Sequence, residues 1–305
     1  MAMVSTLNVR IATLEDVAGI VDVHRSGIER WLKREGGRVE EAHYEELSVS
    51  ERYLHGGPWM SIESCAVHLN NLLLEGQIAV VAEVDGRIVG EAELLISEEP
   101  VHGEITKIAH LDVIEVHREF RERGVGRAIV EFLEELALER GCRLFTATPD
   151  PSAVGFYKKI GVSEVVYRAS IVEFDTSKFP EPPKDPETFE FSWDDVKALE
   201  MVAGRFQSSY HYWFVSFRDR IAGVDDVIPF ESGMLGESYY VLRGLPSGDG
   251  GTLFLWGRRE DLPLILGRAR EIGFKKVRTV VDETVLGELK PRVLGENIIL
   301  GRHLQ

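Results

Sequence analysis

A chain of 305 residues, 44% of them hydrophobic, is long enough to bury one large core or two of moderate size. Its net charge of −16 repels phosphodiester backbones, so nucleic acid is not expected as a partner and a neutral or cationic small molecule is. Two cysteines, Cys65 and Cys142, with no metal-type pairing, argue against a disulfide framework, a zinc site or any other metal; both read as small core residues. No signal-type leader and no apolar run of bilayer-spanning length is seen, so a soluble, cytoplasmic protein without a membrane partner is expected. The charge is uneven: residues 1–250 carry 44 acids against 25 bases, whereas residues 251–305 carry 7 against 10.

In chain order, "LNVRIA" predicts a short strand. "TLEDVAGIVDVHRSGIERWL" predicts a helix capped by Thr13 with Asp16 completing the capping box, and Val17, Ile20, Val21 and His24 on one face. Residues 40–75 read as helices and loops around the mixed segment "YLHGGPWM". Two β-rich runs flank Asp85-Gly86, a hairpin signal because both turn residues tolerate positive φ. A strand over about Lys107 to Val116 leads into "VHREFRERGVGRAIVEFLEELALERG", which becomes an amphipathic helix. "RLFTATP" is another strand, "PSAVGFYKKIGV" a helix begun at proline and stopped at Gly161, and "VVYRASIVEF" a further strand. Strands alternating with helices describe a mixed α/β sheet.

Four prolines within seven residues, Pro180, Pro182, Pro183 and Pro186, remove backbone donors and favour extended chain, which places a semi-rigid linker and a domain boundary at about 176–190. Beyond it, "SWDDVKALEMVAGRF" reads as a helical start. The cluster "YHYWFVSF", Tyr210 to Phe217, reads as core, and strands and a helix come after it in a second α/β segment, 191–305.

Gly124 and Gly126 stand at the mouth of the helix after the strand ending near Val116. The first turn of a helix leaves amide N–H groups without internal partners and carries about half a positive charge, so it suits an anion, phosphate above all. A side chain at 124 or 126 would obstruct that approach, and Arg121, Arg123 and Arg127 are placed to offset the ligand's charge. The dinucleotide pattern G-x-G-x-x-G is excluded by Ile129, and the P-loop ending G-K-[ST] is absent.

"VHREFRERGVGRAIVEFL" resembles the acetyl-CoA-binding motif of the GNAT family of N-acetyltransferases, [R/Q]-x-x-G-x-[G/A], with Arg121, Gly124 and Gly126 matching in turn. "VRIATLEDVAGIVDVH" is similar to that family's first strand and helix. "DPSAVGFYKKIGV" resembles its closing segment, with Ala153, Tyr157 and Gly161 fitting while Asp150 and Val162 replace the usual Asn and Phe. The resemblance covers about residues 6–175 and implies a GNAT domain over 1–175, built on a mixed, mostly antiparallel sheet flanked by helices. It implies acetyl-CoA as co-substrate. Backbone groups near Ile114 and Val116 would meet the pantetheine and thioester, and the amides of Arg121, Glu122, Arg123, Gly124, Val125, Gly126 and Arg127 the pyrophosphate. Tyr157 would protonate or hydrogen-bond the departing sulfur, a role suited to a phenol that stays protonated at neutral pH.

A position used for a catalytic glutamate in some members holds His110, chemically suited to take a proton directly or through water. Strand alternation sets Asp112 on the same face to orient it. His117, next to the motif, reads as a solvated turn residue. Acceptor recognition is expected from residues 25–75, where Tyr53, His55 and Trp59 occur. In 191–305 the element order is similar to the later half of the same family, but "RREDLP" comes after "TLFLWG" with acids where phosphate would lie. That segment therefore reads as a degenerate second copy or an unrelated α/β cap, binding no acetyl-CoA. Two functions from different classes fit: an N-acetyltransferase acting on a small-molecule or peptide amine, as monomer or homodimer, and a catalytically silent CoA-binding sensor or assembly module.

Overall fold

The computed structural model describes residues 6–35, 38–245 and 250–305. The chain divides into two compact units that interleave along the sequence. One comprises Met1–Ile96, Leu111–Gly141 and Arg218–Val227, and the other Ser97–His110, Cys142–Phe217 and Ile228–Gln305.

The first unit begins with β1 (Leu7–Ile11). A single 3-10 turn comes next, in which the Thr13–Asp16 capping box forms as expected, and then α1 (Val17–Arg25), which buries Val17, Ile20, Val21, Val23 and His24. The helix stops at Arg25 rather than continuing toward Leu32. The chain then forms a small hairpin, β2 (Leu32–Glu35) with β3 (Arg38–Glu41), which the periodicity of this stretch does not announce. After α2 (Val49–Tyr53) and α3 (Ile62–Leu74) come β4 (Ile78–Val84) and β5 (Arg87–Val101), joined through Asp85 and Gly86 at φ 53° and 80°, the left-handed pair a two-residue hairpin turn requires. β1 pairs antiparallel with β4, and β4 with β5.

The β4–β5 ladder contains one irregularity, where Ala82 faces Gly90 but Glu83 faces Ile88. The extra residue on β5 is a bulge, and a bulge turns the next residues of its strand to the opposite face. Ile88 consequently lies under Gly19 of α1, its Cδ1 2.6 Å from where a Cβ would stand. Gly90 lies under α4 (Val125–Glu139), whose Val125 and Ile129 come within 3.0 and 2.9 Å of the same point. Glycine at 90 thus lets the helix rest on the strand backbone. β6 (Glu104–Val116) neighbours β5, with the His117 amide donating to the Val89 carbonyl at 2.9 Å.

The second unit contains the far ends of β5 and β6 and then β7 (Leu144–Ala147), α5 (Val154–Lys159), β8 (Glu164–Asp175), β9 (Glu187–Thr188), α6 (Trp193–Val196), β10 (Met201–Ala203) and α7 (Ser209–Phe217). Next in the chain are β11 (Phe230–Leu235), β12 (Ser238–Gly244), β13 (Gly250–Trp256), α8 (Leu262–Glu271), β14 (Lys276–Val281), α9 (Glu283–Leu289) and β15 (Arg292–His303). Its strand order is β6-β7-β15-β8-β14-β13-β12-β11-β9, with β10 on β13. The run β11-β12-β13-α8-β14-α9-β15 repeats in chain order the run β4-β5-β6-α4-β7-α5-β8. The closing strands have changed places: β15 lies between β7 and β8, and β8 between β15 and β14.

The helical start expected at residue 193 is one turn, and "YHYWFVSF" forms α7 with Tyr210, Trp213, Phe214 and Phe217 buried. Cys65 and Cys142 are buried and form no disulfide among the described residues. The proline-rich segment packs against α8. The Pro180 carbonyl oxygen comes within 1.8 Å of where a Cβ on Gly267 would sit, and Glu181 pairs with Arg270 at 3.0 Å. An alanine at 267 must move backbone, which outweighs the roughly 1 kcal/mol that alanine gains over glycine in a helix. Gly267→Ala is expected to destabilise the fold by about 2 kcal/mol in urea unfolding, the usual scale of an overpacked contact.

Candidate functional site

β6 ends at Val116, and His117 begins a single 3-10 turn over Arg118–Phe120. Arg121 is extended, Glu122 has φ 63° and Gly124 φ 86°, after which α4 starts at Val125 with no side chain capping it. A Cβ added at Gly124 would meet nothing within 4 Å, so this helix end opens onto free space. Uncapped first-turn amides, preceded by two left-handed residues, form the kind of concave backbone surface that holds an anion.

The three arginines make contacts within the chain. Arg121 donates to Glu115 Oε1 at 2.7 Å and to the Val116 carbonyl at 3.1 Å. Arg123 lies over the Phe120 ring at 5.2 Å, and Arg127 is 3.6 Å from Glu131 one turn on. All three are exposed. Ile114 and Val116 are half-buried on β6. His117 is not solvated, as the turn alone suggested. It is 5% exposed, with ring nitrogens 2.9 Å from Arg87 Nη2 and 3.3 Å from the Glu119 amide, because the turn folds it back over Val89 and Phe120.

Beyond the bulge, Glu91 and Glu93 point away from α4 into a polar cluster that sequence reasoning missed. Glu91 is 0% and Glu93 2% exposed. His24 Nε2 lies 2.8 Å from Glu91 Oε2, and the His24 ring stacks on Trp59 at 5.0 Å. Trp59 donates its indole N–H to Glu93 Oε1 at 2.8 Å. His68 bridges two carboxylates, Glu93 at 3.0 Å through Nε2 and Asp219 at 2.6 Å through Nδ1. The signal was present: two glutamates at period two within the apolar strand "GEAELLI" can only be buried together. Of the expected acceptor residues, Trp59 joins this cluster, Tyr53 is half-buried, and His55 packs on Trp31 at 4.8 Å with its Nε2 3.1 Å from the Leu32 backbone.

Burial alone would discharge His68, but the charge of Glu93 and the hydrogen bond that His68 donates to Asp219 raise its pKa well above the ordinary histidine value. Burial pushes His24 down to about 4. Burial and the charge of Glu93 hold the Glu91 carboxyl well above the usual carboxylate range. The cluster thus favours the protonated forms of His68 and Glu91 and the neutral form of His24. Glu91 Oε1 is buried with no hydrogen-bond partner among the described residues.

In the second unit, Tyr157 on α5 is 5% exposed, and its hydroxyl makes no hydrogen bond among the described residues. Burial, and then the charge of Asp150, push its phenol up to about 12, so it stays protonated at neutral pH. His110 on β6 is fully buried, with Nδ1 2.8 Å from Thr146 Oγ1 and Nε2 2.9 Å from Gln207 Oε1. With an amide oxygen facing it, Nε2 carries the hydrogen and Nδ1 accepts from the threonine hydroxyl. At the start of α8, which stands in chain order where α4 does, Asp261 Oδ2 accepts from the Glu237 amide at 3.0 Å and the Ser238 hydroxyl at 2.7 Å, so this carboxylate is turned onto the β11–β12 turn and does not cap the first-turn amides of α8.

The raised carboxyl has a measurable consequence. Folded Glu91 keeps a proton that the unfolded chain gives up above about pH 4.3, so this group subtracts stability as pH rises through that range and beyond. His24 acts in the other direction, subtracting stability as pH falls from about 6.5 toward 4. Glu91→Gln removes the first effect alone. Urea unfolding should show the variant gaining on the parent as pH rises from about 4.3, by about 1.36 kcal/mol for each pH unit over which folded Glu91 keeps its proton. An unchanged difference would mean that Glu91 is ionised in the fold.

Residues 38–162 match the acetyltransferase (GNAT) family model, a span that includes the open mouth of α4 and Tyr157. Among curated proteins, a glucosamine 6-phosphate N-acetyltransferase of Trypanosoma brucei brucei is 30% identical over 76 residues, 25% of this chain and 51% of that one. The chain thus spans about half the length of that relative. Among solved structures, GCN5-related N-acetyltransferases from Kribbella flavida and Anabaena variabilis superpose with TM-scores of 0.59 and 0.61 at 12% identity. They cover 100% and 98% of this chain and 72% and 73% of theirs, a likeness of fold. Residues 38–162 are thus the part of this chain that resembles the acetyltransferase (GNAT) family.

Proposed function

We propose that the protein is an acetyl-CoA-dependent N-acetyltransferase that passes acetyl to a primary amine of a small molecule or peptide by direct attack in a ternary complex. The observation that carries this reading is the uncapped α4 terminus, with Gly124 at φ 86° and open space where its Cβ would be. That backbone suits a pyrophosphate, with the amides of Arg121 to Arg127 as donors and Arg121, Arg123 and Arg127 lending charge from the rim. Backbone groups near Ile114 and Val116 are assigned to the pantetheine arm. The Val116 carbonyl is at present held by Arg121 and would have to be released.

Amine attack on a thioester needs a neutral nucleophile and a proton for the leaving sulfur. Tyr157 is assigned the second task, since a phenol held near 12 is a reservoir of that proton at neutral pH. His110 has both ring nitrogens engaged and would act as base only after Gln207 turns away, so proton removal from the amine is assigned to water with His110 behind it. The curated relative is named for an amino sugar phosphate acceptor, which supports an amine here and is taken no further. We also read 191–305 as a degenerate second copy of the same fold, since its elements run in the same chain order and the start of α8 has acids, Glu260 and Asp261, where α4 has its paired glycines.

Gly124→Glu is expected to remove detectable acetyl-CoA binding in calorimetry while circular dichroism stays unchanged; undiminished affinity would overturn the assignment of this corner. Tyr157→Phe should lower kcat by about 10²-fold, the low end of general-acid contributions, in a free-thiol assay over a panel of amines, with acetyl-CoA affinity nearly unaltered. A chain that binds acetyl-CoA but releases no thiol with any amine would be the silent sensor instead.

A further inference from the structure

The end of β8, the turn after it, the start of β14 and the junction of α9 with β15 enclose a hollow of about 360 Å³. Its lining includes five cations, Lys178, Lys275, Lys276, Lys290 and Arg292, against two carboxylates, Glu173 and Asp175. In a chain of net charge −16 that surplus is a local reversal of sign.

The carboxylates are already occupied. Glu173 lies 3.4 Å from Lys276 Nζ, 3.4 Å from Arg292 Nη1 and 3.2 Å from Arg278 Nε. Asp175 is turned onto its own backbone, accepting from the Ser177 amide at 3.1 Å and hydroxyl at 2.7 Å. Lys178, Lys275 and Lys290 therefore line the hollow with no carboxylate within ion-pair distance among the described residues. Three ammonium groups around one space repel each other, and an anion that neutralises them is bound with the repulsion relieved.

The walls are fixed in advance. Thr176 donates its amide to the Lys275 carbonyl at 3.1 Å and its hydroxyl to the Phe274 carbonyl at 2.6 Å, tying the turn after β8 to the start of β14. Lys290 is the left-handed cap of α9, its amide returned to the Leu286 carbonyl. Phe179, edge-on to Phe174 at 5.7 Å, with Leu289 and Pro291 adds an apolar wall. The volume exceeds what one phosphate fills and lies at the lower end of the range for small-ligand pockets, about 300–1,000 Å³.

We propose that this hollow binds a small oligophosphate, an anion with at least two linked phosphate groups, held by Lys178, Lys275 and Lys290. It is separate from the α4 mouth and independent of the acetyl-transfer reading. Inorganic pyrophosphate is the probe, titrated by calorimetry into the Gly124→Glu chain so that the α4 mouth cannot contribute. Saturable binding is expected that weakens as salt is raised and falls at least tenfold when Lys275→Glu and Lys290→Glu are added. The charge-matched changes Arg118→Glu and Arg140→Glu should leave it within twofold. Absence of binding in the Gly124→Glu chain, or equal losses from both pairs of charge reversals, would overturn the proposal. Acetyl-CoA affinity of the parent chain, measured alongside, reports separately on the α4 mouth.

Discussion

One extra residue in β5, opposite the step from Ala82 to Glu83, decides what each face of that strand can do. Without it, strict alternation would set Ile88 and Gly90 on the same side. With it, Gly90 admits α4 to the strand backbone, and Glu91 and Glu93 turn to the opposite side among His24, Trp59 and His68. The seating of α4 with its uncapped start and the buried acid cluster are thus two results of a single bulge, a device that often re-aims side chains beside functional sites.

The two runs of elements, β4 to β8 and β11 to β15, show how one chain order can support different chemistry. In the first, the helix after the third strand starts with left-handed residues and no cap. In the second, "RRED" supplies Asp261, which takes the neighbouring Glu237 amide and Ser238 hydroxyl for itself.

The sequence made much of this visible where the signals are local. Asp85-Gly86, the Thr13 capping box, the buried cysteines and the paired glycines all depend on neighbours a few residues away, and each was legible as such. The β2–β3 hairpin was not, because two short, charge-rich strands carry no clean alternation. His117 was misplaced because its burial depends on Arg87 and Val89, about thirty residues earlier in the chain. The acid cluster joins residues 24, 59, 68, 91, 93 and 219, and the exchange of β8 with β15 spans more than a hundred residues. Neither is a local property, although two glutamates in an otherwise apolar strand were a visible clue to the first.

The exchanged strands also govern when the molecule can become whole. β8 has only β14 and β15 as neighbours in the sheet, and β7 has β15 on one side. On a ribosome, residues 164–175 must therefore wait as an unpaired, Val-rich segment until residues 276–303 have emerged. The sheet around β7 and β8 is thus completed last, by chain made over a hundred residues later, and for that interval its exposed edge is open to chaperones or to a neighbouring nascent chain.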